Sequence, residues 1–203
     1  MIVADTLVVI GLATASLGTI QETGGVQEHT YWLRNDGKEA VMLQQGYTSC
    51  ECTTIQFDRY GQVQPGDSTP VTLRFNPQGR GGKFNVTGTV VYGTERKRVK
   101  LAMTGTSLLS EETLMRRFPV KVSDNVRLST DRFDLGVMHP GETKERSVVV
   151  LHRDENDRTE SLSITYMPDD KTPKGVQHIP YTVTTTEQGK PRQLVITLDV
   201  MIK

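Results

Sequence analysis

Short segments in which apolar and polar residues alternate recur along this chain, and Gly, Pro, Asn and Asp separate them. Residues 30–34 place Tyr31 and Leu33 on one face of an extended strand, and residues 71–75 repeat the pattern. Residues 87–104 contain two further such segments around a Gly-containing turn, as in a hairpin. Because this alternation buries one face of an antiparallel sheet and exposes the other to water, the pattern predicts an all-β chain.

The amino-acid composition also favours strands over helices. The chain contains 26 Thr and 22 Val against 16 Leu and 5 Ala. β-branched side chains lose rotamer freedom in helices and fit the pleated surface of a sheet. Short strands at regular spacing are typical of β-sandwiches, so we expect immunoglobulin-like sandwiches.

Charge and hydropathy exclude two classes of protein. The chain carries 24 Lys and Arg against 24 Asp and Glu, and a protein that coats nucleic acid needs a basic excess. The longest apolar run, residues 7–13, is far shorter than the ~20 residues of a transmembrane helix. We therefore expect no nucleic-acid partner and no transmembrane segment.

The N-terminal segment has some features of a secretion signal. Residues 7–13 form a short apolar run before Ala13-Thr14-Ala15, but no Lys or Arg precedes Arg34, and Asp5 lies where a signal peptide is basic. We interpret residues 1–20 as mature β structure. We expect a periplasmic or cell-surface protein whose signal has been removed, or a cytoplasmic protein if Met1 is the native start.

An internal repeat divides the chain in two. An offset of 118 residues superimposes Leu17-Gly18-Thr19-Ile20 on Leu135-Gly136-Val137-Met138. The same offset aligns three positions in the next segment: Tyr31, Leu33 and Asp36 with Val149, Leu151 and Asp154. The repeat predicts two tandem immunoglobulin-like β-sandwich domains, each of a size usual for that class.

We place the two predicted domains at residues 1–107 and 119–203, with a linker at 108–118. The linker holds the only helix-like stretch, in which Ser110 is a candidate N-cap and acidic residues precede basic ones. A plain linker explains the same residues nearly as well as one or two helical turns.

Cys50-Glu51-Cys52 is the most specific motif in the chain. In an extended strand the two sulfurs share one face and the Cα atoms lie about 6.5–7 Å apart, at the limit for a disulfide. We rank a structural pair first, whether reduced or bridged, metal binding second and thiol redox chemistry third. Glu51 disfavours the third, because a reactive thiol needs a basic setting.

A metal site at these cysteines needs further ligands. Cys50 and Cys52 are the only two cysteines, so His29, the nearest His in sequence, is the remaining candidate. His29 shares strand parity with Tyr31 and Leu33, and a lone His on an apolar strand face is more often a core residue. We expect no other cofactor.

Two other motifs carry less information. Residues 79–83 are rich in Gly and basic residues but lack the spacing of a phosphate-binding P-loop, so we interpret them as a loop between strands. Residues 96–100 form a basic cluster that we interpret as solvated charge at a strand.

The four His residues show no motif spacing with an acid or a nucleophile.

Residues 17–105 resemble a bacterial domain family of unknown function that is common in Bacteroidetes and related to Hydin-like immunoglobulin folds. The motifs that carry the resemblance are Leu17-Gly18-Thr19-Ile20, Asn35-Asp36-Gly37, Ser49-Cys50-Glu51-Cys52-Thr53, Pro65-Gly66 and Phe75-Asn76-Pro77. Glu51 stands where the family usually has Gly, which makes a tight ring through the two cysteines less favourable. A weaker resemblance continues into the second domain. The family resemblance implies an envelope-associated protein and brings no established reaction.

Our leading hypothesis is a non-catalytic structural or protein-interaction module of the bacterial cell envelope. It would bind an envelope protein through an exposed sheet edge, for which residues 182–186 are a candidate, or through loops at the ends of the sandwich. The alternative is a metal-handling or thiol-redox protein that uses Cys50 and Cys52. A glycan-active enzyme ranks last because the sequence offers no candidate carboxylate pair.

Overall fold

The computed structural model describes residues 7–153 and 157–203. Strands make up nearly all of its regular structure, and the prediction of an all-β chain is confirmed. The chain folds as two compact units, Met1–Leu109 and Ser110–Lys203. No helix in the described ranges is long and apolar enough to cross a membrane.

The strands of the first unit follow in chain order: β1 Leu7–Ile10, β2 Thr14–Gln21, β3 Gln27–Asn35, β4 Val41–Thr48, β5 Thr53–Phe57, β6 Gln62–Val63, β7 Ser68–Phe75, β8 Gly82–Tyr92 and β9 Lys97–Leu108. Strand β1 and all but the last residue of β2 lie in the stretch 1–20 that was interpreted as β structure. Residues 1–6 of that stretch lie outside the described residues. The predicted hairpin is β8 and β9, which pair antiparallel from Tyr92 and Lys97 onward.

Two sheets form the sandwich of the first unit. One has the strand order β1-β3-β7-β5 and the other β2-β9-β8-β4-β6. Leu33 and Leu73 from the first sheet and Leu101 and Met103 from the second are fully buried in one apolar cluster. Burial of such a side chain stabilises the fold by about 1.5–3 kcal/mol. The alternating positions of β3 and β7 face this core, as predicted.

The elements of the second unit are α1 Glu111–Arg117, β10 Val120–Lys121, β11 Val126–Leu128, β12 Arg132–Met138, β13 Lys144–His152, β14 Arg158–Tyr166, β15 Gly175–Glu187 and β16 Lys190–Ile202. The strands form sheets of order β10-β11-β13-β14 and β12-β16-β15. Val148, Val150, Ile196 and Leu198 belong to its apolar cluster.

Helix α1 lies within the stretch interpreted as a linker and belongs to the second unit. The Ser110 side chain caps the helix by accepting a hydrogen bond from the Thr113 backbone N–H at 3.3 Å. Acidic Glu111 and Glu112 lie in the first turn, where the helix dipole favours them. Glu111 also accepts a hydrogen bond from Arg153 at 2.8 Å, which ties the helix to the strands that follow.

The repeat is visible as a shared bulge. Strand β2 pairs in parallel with β9, and its register shifts by one residue between Ser16 and Thr19. Strand β12 pairs in parallel with β16, and its register shifts between Asp134 and Gly136.

The offset of 118 is wrong for the following strand. Val148 and Val150, not Val149, belong to the apolar cluster of the second unit. The reason is a segment that is one residue shorter: β3 begins nine residues after Gly18, whereas β13 begins eight after Gly136. A shift of one residue turns every side chain of a strand to the other face. Asp154 lies outside the described residues.

Candidate functional site

Cys50 and Cys52 lie where the chain crosses from one sheet of the first unit to the other. Strand β4 ends in the five-stranded sheet, and β5 begins in the four-stranded sheet. The two sulfurs form a disulfide, and the Cα atoms are 5.2 Å apart. This separation lies well within the usual range for a disulfide.

The expectation of an extended strand at the cysteines is wrong. The chain turns here, and the turn closes with a hydrogen bond of 3.2 Å from the Thr53 N–H to the Cys50 carbonyl. The turn shortens the Cα separation from the value expected of a strand, which removes the geometric objection to a bridge. Glu51 is exposed at the turn and does not prevent the ring.

Hydrogen bonds fasten the turn to the sandwich on both sides. The Ser49 N–H donates to the Thr87 carbonyl at 2.9 Å, and the Thr87 N–H donates to Ser49 Oγ at 2.9 Å. On the other side, the Asn76 N–H donates to the Cys52 carbonyl at 2.8 Å. The disulfide is therefore held between β8 and the residue that follows β7.

Thr53 lies beneath the disulfide and is almost fully buried. Its Oγ1 is 3.3 Å from Cys50 Sγ and 3.7 Å from Cys52 Sγ. A disulfide sulfur carries no hydrogen, so the Thr53 hydroxyl is the donor to either sulfur. The oxidised pair thus satisfies a buried hydroxyl.

A cleft of about 340 Å³ opens beside the disulfide, and we call it the disulfide cleft. Its lining comprises Ser49, Cys50, Cys52, Phe75, Arg80, Gly81, Gly82, Lys83, Phe84, Asn85, Val86 and Ser107. The rings of Phe75 and Phe84 pack with their centroids 4.6 Å apart. Part of the lining is therefore aromatic and apolar.

The charged side chains that line the disulfide cleft are both cationic. Arg80 and Lys83 are exposed, and the lining contains no carboxylate. Within residues 7–153 and 157–203, neither side chain forms an ion pair. The cleft therefore offers positive charge at an apolar surface.

Ser107 contributes a buried hydroxyl to the same cleft. The residue is 1% exposed, and its Oγ has no hydrogen-bond partner in the described part of the chain. Leaving such a group unsatisfied costs about 1–3 kcal/mol. Ser107 is paired across the sheet with Gly82, so its direct strand partner offers no side chain that could bond the hydroxyl.

Residues 79–81 of the Gly-rich segment form a loop between β7 and β8, as interpreted from sequence, whereas Gly82 and Lys83 begin β8. Gly79 and Gly82 adopt positive φ, at 71° and 96°. The Gly79 N–H donates to the carboxylate of Glu22 at 2.6 Å, and Glu22 is 3% exposed. A buried carboxylate therefore binds the backbone of this loop.

The structure places His29 away from the core. His29 is exposed on β3, and its ring lies edge-on to Tyr31 with the centroids 4.6 Å apart. The expectation of a core histidine is wrong: the buried positions of β3 begin only at Tyr31, although His29 pairs with the buried Leu73. The metal hypothesis for Cys50, Cys52 and His29 now applies only to a reduced form, since the two sulfurs are bonded to each other. The described residues contain no group of three or more potential metal ligands.

Sequence spacing missed two histidine–carboxylate pairs in the second unit. His152 Nε2 lies 3.1 Å from Glu160, and the Thr185 hydroxyl donates to the same carboxylate at 2.7 Å. The hydrogen bond from Thr185, aided by His152, lowers the pKa of Glu160.

The second pair is His178 and Asp199, whose Nδ1 and Oδ1 are 2.5 Å apart. The hydrogen bond from His178 lowers the pKa of Asp199, and the charge of Arg132 contributes. The two residues are direct partners across β15 and β16. Only the strand register brings them together, so their sequence spacing carries no signal.

Residues 10–107 match DUF1573, a family described as a protein of unknown function. This is the unit that holds the disulfide cleft. The extension of the resemblance into the second unit and its Hydin-like character stay predictions. No curated protein matches the chain.

Several solved structures resemble the fold. The VesB protease of Vibrio cholerae is 12% identical with a TM-score of 0.41, and the match covers 49% of this chain and 31% of VesB. A protein of unknown function from Porphyromonas gingivalis W83 is 13% identical with a TM-score of 0.40, over 96% and 99% of the two chains. A chain of the CsuC–CsuE chaperone–tip adhesion subunit pre-assembly complex of Acinetobacter baumannii is 10% identical with a TM-score of 0.33. The match covers 98% of this chain and 99% of that one. Likenesses at this level carry no conclusion about function.

Proposed function

We propose that this chain is a non-catalytic binding module of the bacterial cell envelope. In this proposal, an extended segment of a partner protein adds to the free edge of β5 in the first unit. The observation that carries the proposal is the groove along that edge.

Strand β5 is the last strand of its sheet. It pairs antiparallel with β7 over Thr53–Phe57 and has no second partner strand in the described part of the chain. An edge strand presents unpaired N–H and C=O groups, which a partner strand can satisfy. Backbone hydrogen bonds would therefore supply affinity there.

A groove of about 700 Å³ runs along this edge between β4 and β5, and we call it the β5 groove. It is lined by Gln45, Gly46, Tyr47, Ile55, Gln56, Phe57 and Arg59. Apolar and aromatic side chains beside a free edge give the specificity that backbone pairing lacks.

Gly46 and Tyr47 shape the β5 groove from the β4 side. A Cβ at Gly46 would lie 2.7 Å from side-chain atoms of both Ile55 and Phe57, so only Gly allows this close approach. Tyr47 is 52% exposed, and exposed tyrosines are enriched among the residues that anchor protein interfaces. The groove thus combines a close-packed floor with an exposed aromatic side chain.

The edge candidate at residues 182–186 lies on β15, which is the end strand of its sheet. Its exposed residues there are Thr182, Thr184 and Thr186. Pro180 of the same strand has no N–H and shortens the row of available donors. The β5 edge offers the better combination of backbone and side chains, so we favour it.

The disulfide supports an envelope location. Disulfides persist in oxidising compartments such as the periplasm and are rare in the cytosol. An oxidised Cys50–Cys52 pair is therefore the state expected of an exported chain.

Site-specific photo-crosslinking tests the proposed binding edge. A photoreactive amino acid replaces Tyr47 in one variant and Trp32 in the matched control, because Trp32 is 49% exposed on β3 in the same unit. The proposal predicts a discrete crosslinked envelope protein at position 47 that is absent at position 32. Amide exchange of β5 should slow when the identified partner is added. Crosslinking at both positions alike, or exchange in β5 that the partner leaves unchanged, would contradict the proposal.

A further inference from the structure

We propose that the disulfide cleft binds an N-acylated apolar amino acid through its free carboxylate, its side chain and its amide. This ligand site shares no lining residue with the β5 groove. It goes beyond the proposed function and stands or falls separately from it.

The apolar side of the cleft fits a hydrophobic side chain. Phe75, Phe84 and Val86 line it together with the two sulfurs. Phe75 and Val86 are buried, whereas Phe84 is half-buried. Ligand pockets typically combine such walls with a few polar groups that fix orientation.

The cationic side of the cleft fits a carboxylate. Arg80 and Lys83 are three residues apart in the chain, and both line the cleft. A guanidinium forms paired hydrogen bonds with a carboxylate, and an ammonium adds charge. The carboxylate of Glu22 accepts a hydrogen bond from the Gly79 N–H of this loop. Glu22 does not line the cleft, so its charge is not part of the lining.

Ser107 identifies a third contact. Ser107 lines the cleft, and its buried Oγ has no hydrogen-bond partner among the described residues. A buried polar group in a native fold nearly always has a partner. We assign that partner to the ligand, whose amide supplies both a donor and an acceptor.

The volume sets the size of the ligand. At about 30 Å³ per water, the 340 Å³ of the cleft corresponds to a small cluster of waters or to one amino-acid residue with its acyl group. Two sources offer this chemistry: a free N-acylamino acid, and the C-terminal residue of a peptide chain.

The first test is a titration of the full-length isotope-labelled protein with N-acetylphenylalanine, followed by backbone amide shifts. We expect saturable shifts at Gly82, Lys83 and Ser107. N-acetylphenylalanine amide, which lacks the carboxylate, should bind about tenfold more weakly or worse. No saturable shift at millimolar probe, equal binding of the uncharged amide, or displacement by equimolar inorganic phosphate would each overturn the proposal.

Charge variants separate the site from general electrostatics. R80Q/K83Q should weaken binding of N-acetylphenylalanine by about tenfold or more. R98Q/K100Q removes the same charge from exposed positions of β9 outside the cleft and should leave binding nearly unchanged. Equal losses in the two variants would overturn the assignment of the site.

Ser107 is tested with a pair of ligands. S107A should weaken binding of N-acetylphenylalanine by about three- to tenfold. It should leave the weaker binding of 3-phenylpropanoate unchanged, because that ligand has no amide for the hydroxyl. An S107A variant that retains the native amide spectrum and binds both ligands as the wild type does would overturn the role of Ser107.

A binding measurement with a peptide distinguishes a free N-acylamino acid from the C-terminal residue of a peptide chain. Ala-Ala-Ala-Phe with a free C-terminus is compared with N-acetylphenylalanine. Tighter binding of the peptide by about tenfold assigns the site to a protein C-terminus, and equal or weaker binding assigns it to a free acylamino acid.

Discussion

Gly18 and Gly136 occupy equivalent positions in the two units. Their φ angles are 63° and 64°, and each lies at the register shift of a strand that pairs in parallel with the last strand of its unit. Apart from the two chain neighbours, no heavy atom lies within 4 Å of a Cβ built at either position. The requirement for Gly is therefore a matter of backbone conformation and not of space.

Substitution of either bulge glycine by Ala should destabilise the protein. Left-handed φ costs an L-residue about 1–2 kcal/mol, so G18A and G136A should each lower the free energy of unfolding by about that amount. G18N and G136N should cost less, because Asn tolerates this conformation. Urea unfolding of the four variants measures the difference, and Ala variants as stable as the Asn variants would contradict the bulge.

Removal of the disulfide should leave the fold intact but less stable. The bond closes a ring with one residue between the cysteines, and chain entropy for so short a loop gives about 1–2 kcal/mol. The C50A/C52A variant should therefore unfold at lower urea than the wild type without reductant. Addition of reductant should lower the free energy of unfolding of the wild type by a similar amount and leave that of the variant unchanged. A reductant effect on the variant would show that the loss arises elsewhere.

The pair of His178 and Asp199 predicts a pH dependence. The hydrogen bond from His178 lowers the pKa of Asp199 in the folded protein. A lowered folded-state pKa means that the pair contributes stability above the unfolded pKa of about 3.9, and this contribution is lost as pH falls through the folded pKa. Carboxyl NMR titration should place Asp199 below the ordinary Asp pKa, and H178A should raise it. A titration unaffected by H178A would contradict the pairing.

Two serines at the disulfide cleft should respond differently to the same substitution. Ser49 Oγ accepts a hydrogen bond from the Thr87 N–H at 2.9 Å, so S49A should lower the free energy of unfolding by about 1 kcal/mol. Ser107 Oγ has no partner in the described residues, so S107A should leave stability unchanged or raise it by up to about 1 kcal/mol. Thermal unfolding in the absence of ligand compares the two variants. A larger loss for S107A than for S49A would show that its hydroxyl is already satisfied.

The fold could be predicted from sequence wherever a period of two marks a strand. Tyr31 and Leu33 are buried on β3 because alternation alone decides which side chains face a core. The repeat identified the equivalent glycines Gly18 and Gly136. It aligned Val149 with a core position incorrectly, because the segment after Gly136 is one residue shorter and this turns each side chain of the strand to the other face. Residue counts between strands are not visible until the strand ends are known.

The site could be predicted only in part. The motif located Cys50 and Cys52, but its interpretation as an extended strand missed the turn that joins them. Ser107 continues the inward parity of Leu101 and Met103 on β9, so a polar residue at a core-facing position was a usable signal. Its position opposite Gly82 depends on register, which local sequence does not encode.

The disulfide is common to both proposals, because it forms a wall of the disulfide cleft and because disulfides persist in oxidising compartments such as the proposed envelope location. The most direct test is a thiol count on the protein taken from its native cells. Cells are quenched in acid, the protein is denatured with an alkylating reagent and without reductant, and the peptide that contains Cys50 and Cys52 is weighed by mass spectrometry. We expect no alkylated cysteine until reductant is added, and two afterwards. Two alkylated cysteines before reduction would contradict this expectation.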